Sequence, residues 1–318
     1  MKVAVIGLGV IGKLHADIAA VKADLVAVCD VNEAELSPFK NAEKYTDYTR
    51  MLDEVKPDFV HVCTPHYLHA EMVIAALKRG VNVLCEKPLC INEQELEGIL
   101  KAEQNSSAQL GVCFQNRYLS VNRYVKDFLK ENPPCGAMGH VTWRRDKNYY
   151  KSSSWRGRKK MEGGGVLINQ ALHTIDLLQW FCGDVKSLRA QVSNLTLQDE
   201  IEVEDTACVL CEGQTPFVFY ATNGSQMDFS IEMSVKTQKG MLQITPSCVY
   251  LNGEIARVED CSTYYVKPCY GYGHDVLIAD FYRCVQTGEK FAVDGKEGAK
   301  ALKIVLAAYA SEGKQVEI

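Results

Sequence analysis

Apolar residues recur along the first third of the chain in short unbroken runs separated by amphipathic stretches. "VAVIG" precedes a helical pattern through "KLHADIAA", and "LVAVCD" follows it; "DFVHVC" leads into "LHAEMVIAALKRG", "VNVLCEKP" into "NEQELEGILKAEQ", and "QLGVCFQNR" closes the series. Strands that are apolar at nearly every position are covered on both faces, and strands separated by helices run parallel. This pattern predicts a doubly wound α/β domain over residues 1–118. From Tyr118 the texture changes. After a helix at "VNRYVKDFLKE" and a break at "NPPCG" come "GHVTWRRD", "DTACVLCEG", "FVFYAT", "MDFSIEMSV", "GMLQIT" and "CVYLNG", with turn residues between them instead of helices. Such strands pair antiparallel, so residues 119–318 are expected to form an α+β domain on a large, mainly antiparallel open sheet. Two helices, "HDVLIADFYRCVQTG" and "KEGAKALKIVLAAYASEG", finish the chain.

Within the second part, "GGGVLINQALHTID" opens a helix expected over 166–182. Offsets of four and seven residues return to nearly the same helical azimuth, so Asn169, His173 and Asp176 form one polar stripe beside an apolar one of Ile168, Leu172, Ile175 and Leu178. A helix apolar over most of its circumference is buried, and its polar stripe must face partners or a wet cleft. This helix covers one face of the open sheet. The other face is left for a second copy of the chain, which implies a homodimer or homotetramer through the C-terminal sheet.

Composition narrows the partners. With 47% hydrophobic and 24% charged residues, 35 Lys plus Arg against 40 Asp plus Glu, and a net charge of -5, the chain is expected to be a soluble two-domain protein. Nothing in this balance suits nucleic acid. No run reaches the roughly 18 apolar residues of a membrane span. The 13 cysteines are scattered and odd in number, which suits a reducing cytoplasm better than a disulfide framework. Cys208 and Cys211 sit in a strand, where residues three apart point to opposite faces, so no metal site is expected. The N-terminal run contains glycines at motif spacing and continues into Lys13, His15 and Asp17 with no clear cleavage site, unlike a signal peptide.

Those glycines are Gly7-Leu8-Gly9-Val10-Ile11-Gly12, placed between a strand and a helix, and the next strand ends at Asp30. In a dinucleotide-binding turn Gly7 permits the tight bend, Gly9 lets backbone amides approach a pyrophosphate, and Gly12 allows close packing, with the helix N-terminus favouring the phosphate charge. The turn through Val10 and Ile11 is therefore expected to hold the cofactor. Asp30 would accept hydrogen bonds from the adenosine ribose and repel a 2'-phosphate, and no Arg follows in "VNEAEL". NAD is expected over NADP.

"CEKPL" ends another parallel strand at the carboxyl edge, where doubly wound sheets bind ligands. Two readings of Lys87 stay open on spacing alone: it exchanges a proton with a substrate hydroxyl, or it pairs with Glu86 and caps the sheet edge.

At this point the chain resembles the Gfo/Idh/MocA oxidoreductases, through "GLGVIGKLHADI", "CTPHYLHAEMVIAALKRGVNVLCEKPL", "SWRGRKKMEGGGVLINQALHTIDLLQW" and "GHDVLIADFY". The resemblance covers essentially the whole chain. It implies a Rossmann domain followed by a substrate domain, and NAD(P)-dependent hydride exchange with a sugar, cyclitol or derivative. By the same resemblance Lys87 and His173 are catalytic, Thr64, Pro65 and His66 line the nicotinamide pocket with Glu86 nearby, and Arg117, Trp155, Arg156 and Asn169 contact substrate. Asn169 stands where many members carry Asp; an amide cannot take a proton, so it is expected to position substrate. Asp176 is expected either to fix the His173 tautomer or to bond to the sheet beneath. The eight Lys and Arg residues between 144 and 160 allow an anionic substrate or a solvated loop. Tyr264, Tyr265, Tyr270 and Tyr272, clustered among glycines, either offer rings to a sugar or form a plain loop. Two competing classes remain: a non-catalytic dinucleotide-binding regulator, and an NAD-dependent lyase or glycosidase with transient hydride transfer.

Overall fold

The five apolar runs of the first third become parallel strands, joined by a sixth, short and polar one. In the computed structural model, which describes residues 1–259 and 273–318, they alternate with helices: β1 (Lys2–Ile6), α1 (Val10–Lys22), β2 (Asp24–Cys29), α2 (Glu33–Leu36), β3 (Glu43–Tyr45), α3 (Tyr48–Val55), β4 (Phe59–Val62), α4 (His66–Leu77), β5 (Asn82–Cys85), α5 (Glu93–Gln104) and β6 (Leu110–Val112). Their order in the sheet is β3-β2-β1-β4-β5-β6, and every pairing is parallel. β1 lies between β2 and β4, so the crossovers leave it in opposite directions and open a crevice at its carboxyl end. The helix starts are written locally: Asn32, Asp47 and Asn92 each accept a backbone N–H in the first turn of α2, α3 and α5. β3, only three residues with charged Glu43 and Lys44, suits a sheet edge.

The second sheet has nine strands in the order β14-β13-β12-β11-β7-β10-β9-β8-β15. They are β7 (Pro134–Thr142), β8 (Val185–Ser193), β9 (Thr206–Gly213), β10 (Phe217–Thr222), β11 (Glu232–Thr237), β12 (Gly240–Ile244), β13 (Cys248–Leu251), β14 (Glu254–Val258) and β15 (Gln315–Glu317). Among the described residues only β7 and β10 pair parallel; the other pairings are antiparallel. The helical segments are α6 (Ser120–Glu131), α7 (Lys147–Lys151), α8 (Lys159–Glu162), α9 (Leu172–Cys182), α10 (His274–Thr287) and α11 (Gly295–Ser311). α9 packs on β7 at Gly139, where a Cβ would come within 3.0 Å of Leu178. Cys208 is exposed and Cys211 buried, the opposite faces expected of a strand.

Two expectations need correction. The chain divides not at 118 but into one unit of Met1–Phe114 with His274–Ala299, and another of Gln115–Gly273 with Lys300–Ile318. α10 joins the first unit because its apolar face buries Leu277, Ile278 and Phe281, the last with its ring edge-on to Phe59 and Phe291, while Tyr282 bonds His61. Periodicity reports that a helix is amphipathic, not which sheet it covers. The helix expected over 166–182 begins only at Leu172. Asn169 N–H reaches Gly165 O four residues back, but Ala171 N–H reaches Val166 O five back, which breaks the helical register ahead of α9.

Candidate active site

In the first unit, the turn after β1 is built for close approach of a ligand. Gly7 has φ +86°, and a Cβ at Gly12 would lie 1.7 Å from Gly7 O, so both positions admit only glycine. Gly9, which caps α1, differs: nothing lies within 4 Å of its Cβ position, leaving room beside the first N–H groups of α1. Asp30 braces the turn from the end of β2, its Oδ2 accepting Leu8 N–H at 2.7 Å and its Oδ1 accepting Asn32 N–H at 2.8 Å. Each oxygen keeps a second lone pair for a ribose hydroxyl. Leu8 and Ile11 face inward to differing degrees, whereas Val10 and Val31 are 74% and 89% exposed, apolar surface of the kind an adenine can cover. The donor set and the open Gly9 position fit a dinucleotide.

At the carboxyl end of β4, Thr64 and Pro65 lead into α4, whose first residue, His66, is buried. Lys87 follows β5, and the Lys87–Pro88 bond is cis. His69 ties these loops together, its ring nitrogens 2.7 Å from Pro88 O and 2.8 Å from Thr64 O. Burial lowers the His69 pKa.

Glu86, just ahead of Lys87, is held by two histidines. Its Oε1 lies 3.1 Å from His15 Nε2 and 3.5 Å from His274 Nε2, and its Oε2 accepts the Lys87 backbone N–H. The carboxylate is buried, and the two histidines hold it well below its ordinary pKa against the opposing effect of burial. His15 Nδ1 lies 3.0 Å from His61 Nδ1, and His61 Nε2 lies 2.9 Å from Tyr282 Oη. One assignment satisfies the whole chain of bonds: Tyr282 donates to His61, His61 to His15, and both His15 and His274 to Glu86. Burial lowers the pKa of His15 and of His61, in keeping with neutral rings. His15, Glu86, Cys113 and His274 would suit a cation by donor type, their ligand atoms lying within 4.8 Å of one another; the hydrogen-bond scheme accounts for the histidines and the carboxylate without one. Its effect is to fix the backbone that carries Lys87.

In the second unit the expected polar stripe is divided among three partners. His173, the second residue of α9, has Nε2 3.3 Å from Gln115 Nε2, which puts the amide as donor and the ring nitrogen as acceptor. Asp176 is buried and accepts Arg117 Nε at 2.8 Å and Nη2 at 2.6 Å, a two-pronged pair. Arg117 supplies the cation that a carboxylate buried at this depth requires. Asn169, ahead of α9, donates through Nδ2 to Glu162 Oε1.

Glu162 was not signalled by the sequence. It ends α8, is 1% exposed, and also accepts Gly157 N–H. Burial pushes its pKa to about 7, with Asn169, Gly157 and Arg156 opposing. Glu204, likewise raised by burial, takes Gly165 N–H, Leu167 N–H and Tyr309 Oη–H. The two carboxylates bracket the glycine turn. Glycine is required there because a Cβ at Gly164 would sit 2.0 Å from Tyr309 Oη and one at Gly165 1.8 Å from Glu204 O.

Trp155 and Arg156 are half-buried, and the Arg156 guanidinium lies 4.8 Å from the Tyr149 ring centre and 5.3 Å from that of Trp155. Much of the surrounding basic stretch is neutralised locally: Arg144 pairs with Asp146, Arg145 with Asp228, Lys151 with Glu200 and Arg158 with Glu202. That weakens the case for a broad anion-binding loop. Tyr264, Tyr265, Tyr270 and Tyr272 lie outside the described residues.

Comparison with known proteins agrees with both units. Residues 1–114 match the model described as an oxidoreductase family with an NAD-binding Rossmann fold, and residues 134–243 match the GFO/IDH/MocA C-terminal domain. The myo-inositol 2-dehydrogenase of Thermotoga maritima is 27% identical, in an alignment covering 98% of this chain and 96% of that protein. A D-glucoside 3-dehydrogenase of Escherichia coli is 32% identical over 203 residues, which cover 60% of this chain and 57% of the relative. Among solved structures, the WlbA dehydrogenase of Chromobacterium violaceum, in complex with NADH and UDP-GlcNAcA, superposes with a TM-score of 0.88 at 26% identity, over 100% of this chain and 96% of that one.

Proposed function

We propose that this chain, which belongs to the GFO/IDH/MocA oxidoreductase family, is an NAD-dependent dehydrogenase or reductase acting on a carbinol or carbonyl carbon of a sugar, cyclitol or sugar derivative. The observation that carries this reading is the dinucleotide turn, where Gly7 and Gly12 are closed against backbone while Gly9 alone stands open beside a helix N-terminus. NAD, when bound, supplies the hydride acceptor; the protein supplies position and proton exchange. Gly7, Gly9, Val10, Ile11 and Gly12 hold the pyrophosphate, Asp30 takes the ribose hydroxyls and disfavours a 2'-phosphate, and Thr64, Pro65 and His66 border the nicotinamide.

Lys87 hydrogen-bonds and polarises the reacting oxygen, and His173 exchanges its proton as general acid or base. Neutral His173, accepting from Gln115 through Nε2, carries its proton on Nδ1. Asn169, Trp155 and Arg156 contact substrate. Arg117 serves the site indirectly, by holding Asp176 and with it α9. We place the enzyme in the cytoplasm, as a homodimer or homotetramer. Oligomerisation is supported by Met138, Val218 and Leu210, which align across three adjacent strands of the second sheet and are 55%, 42% and 42% exposed.

The test is absorbance at 340 nm with NAD and with NADP over a panel of sugars, cyclitols, sugar phosphates and nucleotide sugars, run beside Lys87→Ala and His173→Ala. Net reduction of NAD that both variants abolish is expected. Near wild-type turnover in both would overturn the assigned roles. NADH binding with no turnover on any compound would favour a regulator or a transient-hydride lyase.

A further inference from the structure

A side-chain amide has two ends of opposite hydrogen-bonding character, and its neighbours decide which end faces which way. At Asn169 that neighbour is Glu162. An ionised carboxylate has acceptors only, so it selects Asn169 Nδ2 and turns Oδ1 toward the remainder of the amide's surroundings. The carboxylate cannot swing away, because it is buried and its other oxygen holds Gly157 N–H. Among the described residues, Arg156, Glu204, Tyr150 and Tyr309 are charged or titratable groups that act on it.

We propose that Glu162 is a positioning residue that sets the polarity of Asn169, making the amide a hydrogen-bond acceptor at the substrate site and so selecting ligands that present a hydroxyl there over ligands that present a carboxylate. This rests on the reading of Asn169 as a substrate contact. The arrangement has a second state. With Glu162 protonated, its O–H donates to Asn169 Oδ1, the amide turns over, and Nδ2 is offered instead. Since burial places this titration at about 7, both states are accessible near neutrality.

Exchanging donor and acceptor within the pair tests this. Glu162→Gln removes the enforced polarity, and Asn169→Asp sets two carboxylates against each other, one of which must then take a proton. Each single variant is expected to raise KM about tenfold with a smaller effect on kcat, and Glu162→Gln to remove the step near pH 7 from the kcat/KM profile. The double variant Glu162→Gln/Asn169→Asp restores one donor facing one acceptor and is expected to recover KM to within a few-fold of wild type. Losses that simply add in the double variant would show that Glu162 acts only as a structural support and overturn the proposal.

The same four proteins are to be followed by thermal unfolding between pH 5 and 8. Coupling between positions 162 and 169 appears there as non-additive midpoints, and additive midpoints count against the proposal. A wild-type protein that turns over no compound therefore speaks against the oxidoreductase reading alone.

Discussion

Asp176→Asn removes one charge from a pair in which neither member meets much solvent: the side chains of Arg117 and Asp176 are 5% and 1% exposed. The substitution keeps the shape of the side chain and leaves the guanidinium buried without its counter-charge. Breaking a buried pair from one side costs about 3–5 kcal/mol, far more than the 0–1 kcal/mol typical of a surface pair. Equilibrium unfolding in urea reads this cleanly, because Trp143, Trp155 and Trp180 all lie in the second unit and their fluorescence reports on it alone. Trp180 is a close reporter, since the Arg117 guanidinium lies 5.3 Å from its ring centre. With a slope of about 1–3 kcal/mol per molar urea, the midpoint should fall by about 1 M or more. Arg117→Lys, which keeps the charge but loses the two-pronged geometry, should fall less. A midpoint within about 0.3 M of wild type for Asp176→Asn would refute the buried pair. If Arg117→Lys instead left stability unchanged and raised KM, the role in substrate contact read from the sequence would be restored.

Two further outcomes are expected. Asp30→Ala should weaken NADH binding about tenfold, measured by the fluorescence of the bound nucleotide, and should erase the preference over NADPH; a wild-type protein binding NADPH more tightly than NADH would remove Asp30 from its assigned role. Glu162 ionises at about 7 when folded and at an ordinary 4.5 when unfolded, so the folded state binds the proton more tightly. Its contribution is complete below pH 4.5 and is lost as pH rises to about 7, a fall of about 3 kcal/mol in the stability of the second unit. Burial of Glu204 acts in the same direction, so Glu162→Gln should flatten the profile only in part; tryptophan-detected urea midpoints between pH 4.5 and 8 that did not fall would contradict this.

What was legible in the sequence was whatever is settled by neighbours along the chain. The turn from Gly7 to Gly12, Asp30 at the end of the second strand, Lys87 at a carboxyl edge and the opposite faces of Cys208 and Cys211 all follow from spacing within one supersecondary unit. What was hidden depends on pairs distant in sequence. His15, His61 and His274 come from three elements and Glu86 from the loop after β5, and the run "VHVC" gives no sign that His61 spends both nitrogens on His15 and Tyr282. Likewise the even helical stripe of Asn169, His173 and Asp176 was an inference from periodicity, and one five-residue turn at Ala171 was enough to part Asn169 from α9. Arg117 was placed near substrate by the family resemblance; only the fold shows its pairing with Asp176.

The division of the chain also bears on how the molecule is made. Residues 1–114 carry all six parallel strands, yet the surface of that sheet is finished by residues 274–299: Phe281 fills the space above Gly111, and Val112 N–H is taken by Val293 O. During synthesis the nucleotide-binding half therefore waits, with apolar surface uncovered, while the whole intervening unit of roughly 160 residues is produced. A fragment ending near residue 118 should be sticky and poorly folded however complete its motif looks. Residues 274–299, made after the whole of that intervening unit, are what lets the first part of the chain become native.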